Sequence, residues 1–262
     1  MQMRAAAVVL ALMATASAAH AAEHRTAATQ RGVTIQVLED LPKGPGPFPV
    51  VVLASGQGGD MTQPLLERLA SALPAEGVAV VRFDWAYRTA NPAAGQQSAD
   101  LTVEEDDMGA ALALARRDPR LDPARIVLMG KSMGSVITVR LFDRSADLRG
   151  AVLLTPVCSL AVRPGAPGWY AAPYAAFARQ TRPVAMIAGD KDPVCSPADL
   201  YRMATTAAGP VRVAVVGGDH AFKAGPDSDP AAAEATRRNL DLAVRNAVDA
   251  AATYLQPIQR AR

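Results

Sequence analysis

Apolar residues along this chain fall into short, nearly unbroken runs, separated by longer stretches in which they recur with a helical period. The runs are Val50 to Ala54, Val78 to Phe83, Ile126 to Met129, Ala151 to Leu154, Val184 to Ala188 and Val211 to Val216. A run that is apolar on both faces fits a parallel strand covered by helices on each side. Val33 to Leu38 alternates instead, as an edge or antiparallel strand does, and the proline- and glycine-rich Leu41 to Pro47 then forces a turn. Between the runs, Met61 to Leu73 places Leu65, Leu66, Leu69 and Leu73 on one stripe. Val103 to Arg117, Val136 to Phe142, Pro197 to Ala208 and Pro230 to Leu255 have helical composition as well. The alternation predicts an α/β fold with a doubly wound, mostly parallel sheet, in which ligands bind at the carboxyl ends of the strands. No repeat or Ser/Gly linker divides the chain, so residues 22–262 are expected to form a single domain.

The first residues stand apart from this rhythm. Arg4 precedes an apolar run from Ala5 to Ala14, and the small-residue triplet Ala19-His20-Ala21 follows. This reads as a signal peptide over residues 1–21, cleaved before Ala22, and predicts a periplasmic or secreted protein. An apolar core of about ten residues is far short of the ~20 needed to span a bilayer, so no stable membrane insertion is expected. Lys plus Arg number 27 against 25 Asp plus Glu, with neither a run of like charge nor a basic stripe interleaved with aromatics. A nucleic-acid partner is therefore not expected. The two cysteines, Cys158 and Cys195, are too few and too far apart for a metal cluster with paired spacing, and no metal is expected.

The sharpest chemical signal is Gly130-Lys131-Ser132-Met133-Gly134, a G-x-S-x-G directly after one predicted strand and directly before a helix. An ordinary turn produces the same letters, but the strand-turn-helix setting is what a nucleophile elbow requires. The glycines two before and two after Ser132 leave room where side chains would meet neighbouring backbone, and the helix starting at Met133 aims its positive end at the site. A serine hydroxyl is a weak nucleophile until a base takes its proton. Of the three histidines, His20 falls in the signal peptide and His24 in the segment just after it, leaving His220 in the folded body. It sits in Gly217-Gly218-Asp219-His220-Ala221-Phe222, after the last predicted strand.

Where a serine sits on such an elbow, the chain order is serine, acid, histidine. Gly189-Asp190-Lys191-Asp192-Pro193 follows the intervening strand and offers two carboxylates, of which Asp192 is preferred and Asp190 is the alternative. Asp219, adjacent to His220, is expected to shape its own loop. The oxyanion of a tetrahedral intermediate needs donors, and the backbone N–H of Met133, the residue after the nucleophile, is one. The second is expected from Ser55-Gly56-Gln57-Gly58-Gly59-Asp60-Met61, with the Gln57 N–H preferred. That loop lacks the Gly-Lys-Ser/Thr end of a P-loop.

With Ser55 to Gly58, Gly130 to Gly134, Gly189 to Asp192 and Asp219 to Phe222 in place, the chain from about Val33 onward resembles the α/β-hydrolase superfamily. The likeness is strongest to its small, dienelactone-hydrolase-like serine esterase branch. Ser55 stands where many of that family carry histidine, and Ser132 replaces the cysteine nucleophile of dienelactone hydrolase itself. The resemblance implies hydrolysis of a small-molecule carboxylic ester through an acyl-serine intermediate, with Ser132, His220 and Asp192 as the triad and no cofactor. A short lid segment, Thr155 to Gln180, brings Trp169, Tyr170, Tyr174 and Phe177, of which the first three are expected to line the substrate cleft. Asp84, Trp85, Tyr87 and Arg88 follow another strand and either border the same cleft or tie their own loop together. Cys158 and Cys195 each follow a strand at one side of the predicted sheet, which in an exported chain suggests a disulfide beside Asp192. A peptidase or amidase would use the same triad, and a non-catalytic binding protein would keep the same fold. Oligomeric state is not legible.

Overall fold

The computed structural model describes residues 22–90, 96–158 and 174–257. Among these, eight strands form one sheet: β1 Glu23–Ala28, β2 Thr34–Asp40, β3 Phe48–Ala54, β4 Ala79–Phe83, β5 Leu121–Lys131, β6 Gly150–Leu154, β7 Val184–Gly189 and β8 Val211–Val216. Their spatial order is β1-β2-β4-β3-β5-β6-β7-β8. The pairings β1 with β2 and β2 with β4 are antiparallel, and all those from β4 across to β8 are parallel. From β3 the chain goes to β4 on one side and returns to β5 on the other. The crevice outside the carboxyl ends of β3 and β5 is therefore the topological switch point, where open α/β sheets bind ligands.

The helices are α1 Pro64–Ala75, α2 Ala86–Ala90, α3 Thr102–Arg117, α4 Met133–Arg144, α5 Pro197–Ala204 and α6 Pro230–Tyr254. Along β3, Val50, Val52 and Ala54 join the apolar cluster that includes residues of α3, α4 and α5, while Val51 and Leu53 join the cluster built with α1 and α6. Both faces are dry, which is why the strands carry no polar alternation. Full burial of a Val or Leu side chain contributes about 1.5–3 kcal/mol, so these central strands hold the sheet together. Among the described residues no helix is long and apolar enough to cross a membrane.

Several elements differ from the sequence reading. β1 was not expected: only Ala27 among its residues is buried, so its own pattern is silent and its conformation comes from pairing with β2. His24 belongs to that strand, in register with Leu38. α1 starts at Pro64 rather than Met61, because proline suits the first helical turn and the Met61 N–H is held by Asp84. α2 gave no readable period at five residues. Residues 1–21, read as a signal peptide, lie outside the described residues.

Candidate active site

Ser132 joins β5 to α4 with φ 52° and ψ −120°. A non-glycine residue pays about 1–3 kcal/mol for such a conformation, and close packing around it maintains the turn. The Ser132 N–H donates to the Leu154 carbonyl of β6 at 2.9 Å. A Cβ on Gly134 would stand 2.5 Å from the Ser55 carbonyl oxygen, and one on Gly130 would run into the Gly134 backbone. The two motif glycines thus let three segments converge beneath Ser132.

His220 lies beyond β8 and reaches Ser132 across 88 residues of chain: its Nε2 is 2.8 Å from Ser132 Oγ. Its Nδ1 lies 3.0 and 2.9 Å from the two oxygens of Asp192. A carboxylate facing Nδ1 places the ring proton there and leaves Nε2 to accept from the serine hydroxyl. Asp192 is 3 % exposed, and its Oδ1 also accepts from the N–H groups of Val194 at 2.8 Å and Cys195 at 3.2 Å. Asp190, the alternative acid, accepts from the Gly218 N–H at 2.7 Å and so fastens the acid loop to the histidine loop. Asp219 accepts from the N–H groups of Ala221 and Lys223 and folds its own loop, anchored by the fully buried Phe222.

Met133 opens α4, so its N–H has no carbonyl four residues earlier within the helix to bond. Facing it is the loop after β3, where Gly56 packs against the elbow and the Gln57 side chain is exposed. That loop is fixed from β4's end. Asp84 accepts from the Met61 N–H at 2.8 Å, and the Tyr87 hydroxyl accepts from the Gly58 N–H at 3.1 Å. Burial raises the pKa of both Asp84 and Tyr87. Of the two roles open to this tetrad, loop-tying is therefore the one Asp84 and Tyr87 perform.

Tyr174 does not line a cleft. It is buried, stacked on Phe177 with ring centroids 5.5 Å apart. Its hydroxyl accepts from the Val157 N–H at 2.8 Å and lies 2.7 Å from Ser135 Oγ, which donates to the Ser132 carbonyl at 2.5 Å. Because Ser135 spends its one proton on the Ser132 carbonyl, the Tyr174 hydroxyl donates to Ser135, and the directions run Val157 to Tyr174 to Ser135 to Ser132, a buried brace under the elbow. The aromatic density of its segment suggested a wall of the cleft, whereas packing on α4 drew the ring inward. Ser135, one turn after Ser132, carried no sequence signal beyond that spacing. Trp169 and Tyr170 lie outside the described residues. Cys158 and Cys195 are joined in a disulfide with Cα atoms 4.8 Å apart, linking the segment after β6 to the acid loop.

A family model for the alpha/beta hydrolase domain matches residues 48–249. Esterase EstD of Thermotoga maritima is 33% identical over 124 residues, which cover 44% of this chain and 29% of that protein. The chain thus spans under a third of the length of the curated relatives it matches. An α/β serine hydrolase without lid from Xanthomonas campestris superposes with TM-score 0.64 at 20% identity, covering 91% of this chain and 97% of that one. A provisionally assigned dienelactone hydrolase from Klebsiella pneumoniae gives TM-score 0.62 at 18% identity, covering 86% and 98%. At such identities the likeness to these structures speaks for the fold alone.

Proposed function

The chain belongs to the alpha/beta hydrolase family, and on that premise we propose that it is a serine esterase that cleaves small carboxylic esters. The observation that carries this reading is the relay Asp192–His220–Ser132, with 2.9 and 2.8 Å links, on a strained elbow at the switch point. Ser132 Oγ attacks the ester carbonyl while His220 Nε2 takes its proton. The developing oxyanion is held by the N–H groups of Met133 and Gln57, each worth about 3 kcal/mol of barrier. His220 then protonates the leaving alcohol. Water, activated by the same imidazole, releases the acid from the acyl-serine. Asp192 holds the ring tautomer and stabilises the imidazolium without taking the proton.

The similarity to an esterase over part of the chain supports the ester reading. Export is part of the proposal: the Arg4 to Ala21 leader pattern and a disulfide both suit an oxidising compartment. Labelling of the purified protein with a fluorophosphonate, mapped by mass spectrometry, tests the nucleophile. The expected tag is on Ser132 and is lost in His220→Ala. Asp192→Asn is expected to lower kcat by about 10⁴ on a 4-nitrophenyl ester. A folded, unlabelled wild-type protein that turns over no ester overturns the reading, and faster cleavage of a matched anilide redirects it to an amidase.

A further inference from the structure

Lys131 ends β5 and immediately precedes the nucleophile, yet the relay makes no use of it. Its position is marked by Gly56. A Cβ on Gly56 would stand 3.1 Å from Ser132 Cβ and 3.7 Å from Lys131 Nζ. Both atoms therefore crowd one point at the root of the loop that carries Gln57, which sets the ammonium on the same side of that loop as the Ser132 Cβ. Lys131 is only partly exposed, and burial takes much of its charge out of water.

Among the described residues this ammonium forms no ion pair. Asp192 is engaged by His220 and two N–H groups, and Asp219 by the N–H groups of Ala221 and Lys223. Both carboxylates attract it from a distance, but burial outweighs them and holds its pKa below the ordinary lysine value. A half-buried cation without a partner is unfavourable unless an anion comes to meet it. A point charge on a flexible stem suits a carboxylate at a range of distances better than one fixed geometry.

We infer that Lys131 is a specificity-determining residue that selects esters bearing a second, anionic group a few carbons from the scissile carbonyl. The inference rests on the esterase reading above. Its test compares kcat/KM for two 4-nitrophenyl esters of equal chain length, the monoester of adipic acid, which ends in a carboxylate, and the hexanoate, which ends in a methyl. The ratio of adipate to hexanoate is expected to fall roughly tenfold, the reach of one charge-assisted hydrogen bond, in Lys131→Met and in Lys131→Gln. Lys131→Arg is expected to keep most of it.

An unchanged ratio in both neutral variants overturns the inference. So does an equal loss on the two esters, which would make Lys131 a general stabiliser of the oxyanion. The esterase reading fails separately: wild-type protein that cleaves neither ester and takes no fluorophosphonate at Ser132 overturns both, whereas a labelled Ser132 with an unaltered ratio overturns Lys131 alone.

Discussion

The backbone N–H of Cys195 donates to Asp192 Oδ1 at 3.2 Å while its sulfur is bridged to Cys158. One residue therefore both solvates the buried carboxylate and pins its loop to the segment that follows β6. The bridge closes a span of 37 residues, for which chain entropy alone gives about 4 kcal/mol of stability. The paired variant Cys158→Ser/Cys195→Ser is expected to lose stability of that order in urea melts. Its kcat should fall by about tenfold to 100-fold, since small misplacements of a reacting group are costly, with KM less affected. Treatment of the wild type with a thiol reductant should reproduce both effects. Full kcat in the reduced protein would remove any link between bridge and acid.

Ser132→Gly separates stability from chemistry. Glycine tolerates φ 52° without the penalty a side chain incurs there, but the hydroxyl that meets His220 is gone. The expected variant is inactive and as stable as the wild type or more so, by up to about 1 kcal/mol, measured by thermal unfolding. A clearly destabilised variant would mean that the serine hydroxyl holds the turn together more than the backbone strains it.

Tyr174→Phe tests the brace. The substitution leaves the Val157 N–H without its acceptor in a buried site, which costs about 1–3 kcal/mol, and frees Ser135. The melting temperature should drop by several degrees and kcat fall modestly, while KM stays near the wild-type value. A raised KM at undiminished stability would return Tyr174 to the substrate cleft.

Lys131 has a folded-state pKa below its ordinary value of 10.5 because burial penalises the charge. The unfolded chain then holds that proton more tightly than the native state, so native stability rises with pH as the solution approaches 10.5. Lys131→Met removes the penalty. It is expected to melt higher than the wild type at pH 7, with the difference shrinking as the pH rises toward 10.5, as followed by calorimetry. A difference independent of pH would place the ammonium in water.

Much of the site was legible because its signals are local. The glycines flanking Ser132 and the strand before it sit within a few residues, and runs such as Val184 to Ala188 announce two buried faces directly. His220 was found by elimination among three histidines. Other features have no local mark. β1 acquires its form only from β2, and nothing in the composition of Glu23–Ala28 announces that partner.

The sequence by itself determined the alternation of strands and helices and the strand-turn-helix setting of Ser132, because each depends on neighbours along the chain and on which side chains avoid water. Only the tertiary structure decided between Asp192 and Asp190 as the carboxylate that faces His220, turned Tyr174 from the cleft into the support of Ser132, and set Lys131 against Gly56. Those choices depend on which loops the sheet order brings to one crevice. The relay closes across 88 residues on one side and 28 on the other, distances over which no periodicity in the chain carries information.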